Sequence, residues 1–247
     1  MTNLAGVRII LVEPAGDLNV GSVARVMKNM GLHQLILVNP QCDPKSLQAR
    51  KMAMHGIDVL KQAQLVENLP MALQGCQRAM ATTARSRSLS SQFYTPREGL
   101  PWLLGENLLS GLIFGREDRG LSNEELNYAQ KFISIPANPE YPSLNLAQAV
   151  AVCSYELHLA CQDNQDKKIL DDNNEIETAT LDILEGYYQQ LEDLLLKIGY
   201  LYPHTANARM EKFRRIYNRA NLTEEEVAML RGILRQMDWA RRSEEKN

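Results

Sequence analysis

Apolar and polar positions alternate in two different ways along the chain, and the change falls near residue 160. Up to that point, short apolar runs typical of buried strands are separated by segments with helical spacing. The predicted strands are residues 7–12, 35–38, 65–66, 76–82, 112–114 and 132–135. The predicted helices are residues 21–30, 46–55 and 122–130, and the run that begins at Leu144. This order predicts an α/β fold with a parallel sheet covered by helices on both faces.

The remainder of the chain has no strand pattern. Residues 163–178 are polar and lack an amphipathic period, which is typical of a linker. Three helical segments follow at residues 179–198, 207–219 and 224–241, and Thr223 and Glu226 form a capping box before the last one. We therefore predict an α/β domain over residues 1–162, a linker over 163–178 and a small all-α extension over 179–247.

Polar clusters directly follow several of the predicted strands. They occupy residues 13–21, 82–91, 115–120 and 136–145. Because ligands bind beyond the carboxyl ends of parallel strands, these clusters are expected to meet at one site.

Composition limits the kind of protein this can be. The net charge of the 247 residues is −3, so nucleic-acid binding would need a local basic patch. The four cysteines form no CxxC pair and the four histidines stand apart, so no metal site is expected. We find neither a signal-peptide pattern nor an apolar run long enough to span a bilayer. A soluble cytoplasmic protein is the expectation.

The first chemical motif lies after the first strand and runs from Asn19 to Arg25. Gly16 and Gly21 have the spacing of a phosphate-binding loop, but Ser22 stands where that loop requires lysine. The dinucleotide fingerprint GxGxxG is absent as well. By itself, Arg25 is better explained as a solvated helix residue, since arginines are common on protein surfaces.

The second motif is the charged turn between Phe114 and Leu121, in which Gly115 and Gly120 bracket four charged residues. Glycine at such positions lets the backbone approach a ligand closely or adopt a positive φ. The alternative is an ordinary turn between a strand and a helix with surface charges.

The third motif is the segment from Ile135 to Asn145, which holds three prolines and therefore cannot be regular structure. Ser143 is predicted to cap the helix that follows, so that free backbone N–H groups point into the loop. A rigid turn with a serine cap is the alternative interpretation.

These three motifs, in this order, resemble those of the SpoU/TrmH branch of the SPOUT superfamily of RNA methyltransferases. The resemblance covers about residues 5–160. Three further features are similar to the TrmJ type of tRNA 2′-O-methyltransferase. They are the Ala-Asn-Pro-Glu-Tyr segment before Ser143, the loop of residues 82–87 and the helical extension.

The resemblance implies a deep trefoil knot within about residues 111–160, S-adenosylmethionine bound in the knot loops, and a homodimer. By position, the cofactor contacts would fall on Thr82, Thr83, Ala84, Gly115, Ile135, Pro142, Ser143 and Leu144.

The same resemblance implies methyl transfer to a ribose 2′-hydroxyl, with Arg25 near the cofactor of the second subunit. A guanidinium stays protonated, so Arg25 is expected to hold a phosphate and stabilise developing alkoxide charge rather than act as a base. Asn19, Glu117, Ser143 and Asn145 would orient Arg25 and the ribose. Glu117 could take the proton, although pairing with arginine would lower its pKa.

Cationic side chains near the predicted cofactor loops and in the extension are candidates for RNA binding. They are Arg85, Arg87, Arg116, Arg119, Arg209, Lys212, Arg214, Arg215 and Arg219. Tyr217 lies beside the last group and could stack on a base. For the cluster in the extension, a solvated helix face is the alternative.

The sequence therefore predicts an S-adenosylmethionine-dependent methyltransferase acting on tRNA, at nucleotide 32 of the anticodon loop. The alternatives are a 2′-O-methyltransferase for another tRNA position or for ribosomal RNA, and an RNA-binding module that has lost catalysis.

Overall fold

The computed structural model describes residues 3–84, 93–167 and 178–244. The chain forms two compact units, Met1–Asp172 and Asn173–Asn247. The first contains a seven-stranded parallel sheet in the order β3-β2-β1-β6-β4-β7-β5. Its strands are β1 Val7–Val12, β2 Gln34–Val38, β3 Gln64–Val66, β4 Arg78–Thr82, β5 Phe93–Tyr94, β6 Ser110–Phe114 and β7 Lys131–Ile133. The predicted α/β fold with a parallel sheet is confirmed.

Both faces of the central strand β1 are covered. Ile9 and Leu11 lie in one core cluster, and the alternate residues Ile10 and Val12 are buried as well. The helices of this unit are α1 Asp17–Asn29, α2 Leu47–Ala53, α3 Ile57–Gln62, α4 Leu69–Ala72, α5 Pro96–Gly99, α6 Asn123–Leu126 and α7 Leu146–Lys167. Burial on both faces explains why the strands appear in the sequence as apolar runs without alternation.

The strand order places three loops side by side. Strand β6 pairs with both β1 and β4, with Leu112 opposite Ile9 on one side and Met80 on the other. Strand β7 pairs with β4 and β5. Because all pairs are parallel, the carboxyl ends of β6, β4 and β7 lie next to one another at the same edge of the sheet.

Several helices differ from the prediction. Helix α6 ends at Leu126 rather than near residue 130, and the short helices α3, α4 and α5 were not predicted. Helix α1 begins at Asp17, four residues before the predicted start, since its first turn is held by contacts with residues distant in sequence. Helix α7 continues through residues 163–167, which were predicted as linker. An established helix extends residue by residue at little cost, so a polar sequence need not end it. Strand β5 was missed because it has only two residues.

The second unit is a small helical bundle of α8 Leu181–Lys197, α9 Ala206–Ala220 and α10 Glu224–Glu244. Tyr187, Leu191, Met210 and Val227 bring all three helices into one core cluster. The Thr223–Glu226 capping box is present, with bonds of 2.9 and 3.2 Å in its two directions. The three predicted helices of the extension are thus found within two residues of their expected starts. The domain limits and the knot of residues 111–160 stay predictions.

None of the helices in the described ranges is long and apolar enough to cross a membrane.

Candidate active site

A cavity of about 310 Å³ opens at the carboxyl ends of β4, β6 and β7. All eight residues predicted to contact the cofactor line it: Thr82, Thr83, Ala84, Gly115, Ile135, Pro142, Ser143 and Leu144. Their convergence follows from the strand order, since the loops that carry them leave three adjacent strands. An apolar wall that sequence reasoning missed completes the cavity, formed by Phe114, Leu121, Ile133, Leu146 and Ala149. The wall could have been predicted from the sequence, because Phe114 and Ile133 are the apolar residues at the ends of β6 and β7.

The charged turn after β6 folds back on itself to form one side of the cavity. The N–H of Gly120 donates to the carbonyl of Arg116 at 2.8 Å, and the φ of Gly120 is +68°. A Cβ atom on Gly115 would overlap the backbone of Gly120. The two glycines are therefore required by the close approach of the two ends of the turn.

Arg119 holds this turn in place. Its guanidinium lies 2.9 Å from Glu125, in the capping box of α6, and 2.9 Å from Glu13, which follows β1. The hydrogen bonds with Glu125 and then Glu13 raise the pKa of Arg119 above its ordinary value. Arg116 pairs with Asp118 at 3.1 Å. Both arginines were predicted to bind RNA. Arg119 instead has a structural role, because Glu125 and Glu13 pair with its guanidinium.

Three polar residues from the three motifs form one hydrogen-bonded chain beside the cavity. The amide nitrogen of Asn145 donates to Oδ1 of Asn19 at 3.0 Å. The amide nitrogen of Asn19 donates in turn to Oε1 of Glu117 at 2.8 Å. Glu117 also accepts from the N–H groups of Ala15 and Gly16, at 2.9 and 3.1 Å. The orientation of each amide is thereby fixed by its neighbour.

Glu117 is an ionised acceptor in this network. Its partial burial raises the pKa of its carboxyl, but hydrogen bonds from Ala15, Asn19 and Gly16 outweigh that effect and hold the pKa below its ordinary value. The expected pairing with arginine is not seen within one chain, where backbone N–H groups and an amide occupy the carboxylate. With its oxygens so engaged and its pKa low, Glu117 is poorly suited to accept a proton.

Asn145, and not Ser143, caps helix α7. The helix begins at Leu146, and Oδ1 of Asn145 accepts the N–H of Ala147 at 2.9 Å. The proline turn delays the helix by two residues, so the prediction of Ser143 as the cap is wrong. Ser143 is exposed and lines the cavity. The side chain of Asn145 therefore joins α7 to the network through one group and caps it through the other.

Arg25 is not part of this network. It is exposed on α1, six residues after Asn19, which corresponds to about 240° around the helix. Asn19 therefore faces the cavity loops of its own protomer while Arg25 points elsewhere. Within one chain the structure shows no bond from Arg25 to Glu117, Ser143 or Asn145, so the expectation that these residues orient Arg25 stays a prediction for a dimer.

The residues of this region match a known family. Residues 6–155, more than half of the chain, fit the model of the SpoU rRNA Methylase family. The chain belongs to the SpoU methylase family. Residues 182–247 fit the C-terminal domain of the tRNA methyltransferase TrmJ, so this SpoU-family chain is of the TrmJ type.

Individual relatives agree with this assignment. The chain is 43% identical over 233 residues to tRNA (cytidine/uridine-2′-O-)-methyltransferase TrmJ from Salmonella choleraesuis, covering 94% of this chain and 96% of that protein. The crystal structure of TrmJ from Z. mobilis ZM4 has a TM-score of 0.82 at 30% identity and covers 94% of this chain and 98% of that one. A structure reported for 2-OH methylation of C/U34 on tRNA has a TM-score of 0.51 at 26% identity, covering 64% of this chain and 97% of that one.

The cations of the helical extension differ in their surroundings. Arg214 makes a bidentate pair with Glu185 at 2.6 and 2.8 Å and stacks on Tyr188, with 17% of its side chain exposed. Tyr217 packs edge-on against Tyr187, with ring centroids 5.1 Å apart. Tyr217 is thus engaged with Tyr187 while its side chain stays partly exposed, so its stacking on a base stays a prediction. Arg214 serves the packing of α8 and α9.

The remaining cations of α9 are more accessible. Arg209 and Lys212 are exposed, Arg215 lies 3.9 Å from Glu211, and Arg219 bonds to the backbone of its own helix. The predicted RNA contacts Arg85 and Arg87 fall outside the described residues. In the described ranges, no group of three or more His, Cys, Asp or Glu side chains is arranged to hold a metal ion.

Proposed function

We propose that this chain methylates the ribose 2′-hydroxyl of nucleotide 32 in the anticodon loop of tRNA, with S-adenosylmethionine as the methyl donor. The observation that carries the proposal is the meeting of all three motifs at one cavity, with the Asn19–Glu117–Asn145 network beside it. The name of the Salmonella relative, a tRNA 2′-O-methyltransferase, supports the reaction and the substrate class. The enzyme would act in the cytoplasm.

The cavity has the size and chemistry to hold the cofactor. Its volume of about 310 Å³ lies within the range of small-molecule sites, and its wall of Phe114, Ile133 and Ile135 offers an apolar surface for adenine. Glu117 and Asp118 supply negative charge near a cationic donor. When bound, S-adenosylmethionine would supply an electrophilic methyl group on sulfur.

The chain's own residues would position the ribose and stabilise charge. Ser143, at the cavity, and Asn145, held by Asn19, present polar groups where the ribose would lie. The ribose oxygen would bond to the methyl carbon as the bond from that carbon to sulfur breaks, and the hydroxyl proton would pass to solvent water. Negative charge therefore develops on the ribose oxygen as the proton leaves. Arg25 is the proposed group that stabilises this charge and holds the adjacent phosphate.

A homodimer would bring Arg25 to the site. Because Arg25 points away from the network of its own chain, its proposed role requires the cavity of a second subunit. The exposed apolar side chains Leu18 on α1, with 49% exposed, and Tyr155 on α7, with 48% exposed, lie on the two helices that would form such a contact. These helices pack against each other within the protomer.

The RNA-binding surface would use the predicted cations other than Arg119 and Arg214, whose ion pairs give them structural roles. The remaining cations are Arg85, Arg87, Arg116, Arg209, Lys212, Arg215 and Arg219. Since phosphate contacts dominate RNA affinity, tRNA binding would weaken as salt increases.

A different tRNA position is the second candidate. The structure concerned with C/U34 is similar to 64% of this chain, whereas the Salmonella TrmJ is similar to 94%. The helical extension, which fits the TrmJ C-terminal domain, is the feature that favours the TrmJ type. Nucleotide 32 is the target that the resemblance to that type implies.

A methyl-transfer assay on unmodified tRNA transcripts, followed by digestion and mass spectrometry, tests the proposal. The expected result is one added methyl group on the ribose of nucleotide 32. A methyl group on nucleotide 34 or on ribosomal RNA would keep the reaction and change the target. Cofactor binding without transfer to any of these RNAs would support a binding module that has lost catalysis.

A further inference from the structure

A second cavity lies in the helical extension, between α8 and α10. Its volume is about 350 Å³. It is lined by Ile183 and Gln190 of α8 and by Glu224, Val227, Arg231 and Arg235 of α10. We call this cavity the α8–α10 notch. None of its residues belongs to the cluster of cations on α9.

The two arginines of the notch differ from most others in the extension. Arg214 pairs with Glu185, Arg215 with Glu211, and Arg241 and Arg242 with Asp238. Within residues 178–244, by contrast, no carboxylate lies within ion-pair distance of Arg231 or Arg235. Their charge is therefore available to a ligand.

Arg231 is held in a defined position. Its Nε donates to Oε1 of Gln190 at 3.0 Å, which leaves the two Nη groups for other acceptors. The guanidinium of Arg231 also lies against α8 at Gly186, which has no side chain. A Cβ atom placed on Gly186 would be 3.8 Å from one Nη of Arg231. Because Gln190 already restricts the Arg231 side chain, that side chain would lose less conformational entropy when it binds an anion.

Arg235 stands one turn further along α10. Residues four apart on a helix have Cβ atoms about 5–6 Å from each other, so both guanidinium groups can reach one ligand. The lining by Ile183 and Val227 offers no acceptors to them. Glu224 lies seven residues before Arg231, about 10 Å along the helix, so an anion would be directed to the arginine end.

The α8–α10 notch and the α9 cations are on different sides of α8. Glu185 contacts Arg214 of α9, whereas Gln190 contacts Arg231 of α10. These two residues are five positions apart, or about 140° around the helix. The notch is thus a surface separate from the one that the sequence indicated.

We propose that the α8–α10 notch binds a backbone phosphodiester of the RNA substrate, with Arg231 and Arg235 as the donors. A phosphate oxygen accepts the forked N–H groups of arginine in a bidentate manner, which suits two guanidinium groups above an apolar floor. The proposal rests on the proposed function, because it takes RNA to be the substrate.

The test compares two arginines of α10 in the full-length protein. Arg235→Gln removes a charge from the notch, and Arg242→Gln removes the same charge from a side chain that pairs with Asp238. Binding of an unmodified tRNA transcript is measured by fluorescence anisotropy over a range of salt concentrations. Arg235→Gln is expected to weaken binding about tenfold at low salt and to reduce the slope of log K against log salt by about one. Arg242→Gln is expected to leave the slope unchanged.

Arg231→Gln and Arg231→Lys extend the test to the residue that Gln190 orients. The glutamine variant should lose about one unit of slope, whereas the lysine variant should keep the slope and bind with intermediate affinity, because it retains the charge but not the fork. Thermal unfolding of each variant shows whether folding is affected. If Arg231→Gln is destabilised, Arg235→Gln alone decides the outcome.

The notch proposal is overturned if Arg235→Gln keeps the wild-type slope, if Arg242→Gln loses as much, or if the wild-type protein binds tRNA without salt dependence. Methyl transfer is measured on the same preparations. Transfer to tRNA with an unaltered slope in Arg235→Gln leaves the proposed function standing and removes the notch. If Arg235→Gln lowers the slope of log K against log salt but the wild-type protein transfers no methyl group, the notch proposal stands and the proposed function does not.

Discussion

The carboxylate of Glu117 accepts a hydrogen bond of 2.8 Å from the side-chain amide of Asn19, although the two residues are 98 positions apart. This bond joins the turn after β6 to the first turn of α1. Through Asn19 it continues to Asn145, the cap of α7. A change at Glu117 is therefore expected to disturb the candidate site at three loops.

Replacing Glu117 by glutamine should reduce both stability and methyl transfer. Glutamine would place an amide donor against the N–H groups of Ala15 or Gly16, which the carboxylate now accepts. Loss of hydrogen bonds to a charged group costs about 1–3 kcal/mol of the free energy of unfolding. Misplacement of Asn19 should lower single-turnover methyl transfer about tenfold or more.

Urea unfolding and single-turnover assays measure these two effects. Glu124→Gln is the matched control, since Glu124 is an exposed carboxylate in the first turn of α6. Wild-type transfer rates in Glu117→Gln would show that the network does not position the reacting groups.

The stability of the α/β unit should depend on pH through Glu117 and Glu125. Partial burial raises the pKa of both carboxyls. Hydrogen bonds from Ala15 and Asn19 nevertheless hold the pKa of Glu117 below its ordinary value of 4.5, and a hydrogen bond from Arg119 does the same for Glu125. A carboxyl with a lowered pKa contributes stability that is present above its unfolded-state pKa and is lost as pH falls through its folded-state pKa.

Urea unfolding at a series of pH values measures this contribution. The difference in free energy of unfolding between wild type and Glu117→Gln should be constant above about pH 5.5 and should shrink below about pH 4.5. A difference that grows as the pH falls would contradict the lowered pKa of Glu117.

Asn145 should have a greater effect on stability than Ser143. Asn145→Ala removes the cap of α7 and should cost about 1 kcal/mol, whereas Ser143→Ala should leave the melting temperature unchanged. Asn145→Asp separates the two tasks of the side chain, because it keeps the cap but loses the donor to Asn19. This variant should fold with near-native stability and transfer methyl groups more slowly.

Thermal unfolding and methyl-transfer rates of the three variants provide the measurement. Destabilisation by Ser143→Ala that equals that of Asn145→Ala would argue against Asn145 as the cap.

Arg25→Ala should abolish most methyl transfer while leaving cofactor binding intact, because Arg25 lies outside the cavity of its own chain. A loss of about 100-fold or more is expected for a group that stabilises developing charge. Gly115→Val should have the opposite defect, since its side chain would overlap Gly120 and close the cavity.

Mixing these two inactive variants tests whether the site spans two subunits. If Arg25 acts on the cavity of the second subunit, a mixed dimer has one site with both intact components, and refolding equal amounts should restore up to about one quarter of wild-type activity. Reassociation can be followed by the exchange of differently tagged subunits. Mixed dimers without activity would place Arg25 outside the shared site.

The sequence predicted the cavity well because its lining lies at strand ends. Buried parallel strands are apolar on both faces, so their ends at Thr82, Phe114 and Ile133 are visible in the sequence. Glycine and proline mark the loops beyond them, where backbone conformation limits the choice of residue. The eight residues predicted to contact the cofactor line one cavity for this reason.

The partners of the charged side chains could not be predicted in the same way. Arg119 and Arg214 are indistinguishable in the sequence from cations free to bind RNA, yet Glu13 and Glu125 pair with the first and Glu185 with the second. Ion pairs join residues up to 106 positions apart, and no local pattern records them. The packing of Tyr217 on Tyr187 could not be predicted either, because it depends on how α8 and α9 meet.

By itself, the sequence determined the α/β fold, most of its strands in their order along the chain, the resemblance to a methyltransferase family and the loops that form the cavity. These properties depend on periodicity, on backbone restrictions and on residues close together in the chain. Only the tertiary structure decided that Glu117 is held by backbone N–H groups, that Asn145 caps α7, and that Arg231 and Arg235 lie together above the α8–α10 notch. Each of these depends on a distance across the fold, which is set by how separate elements pack.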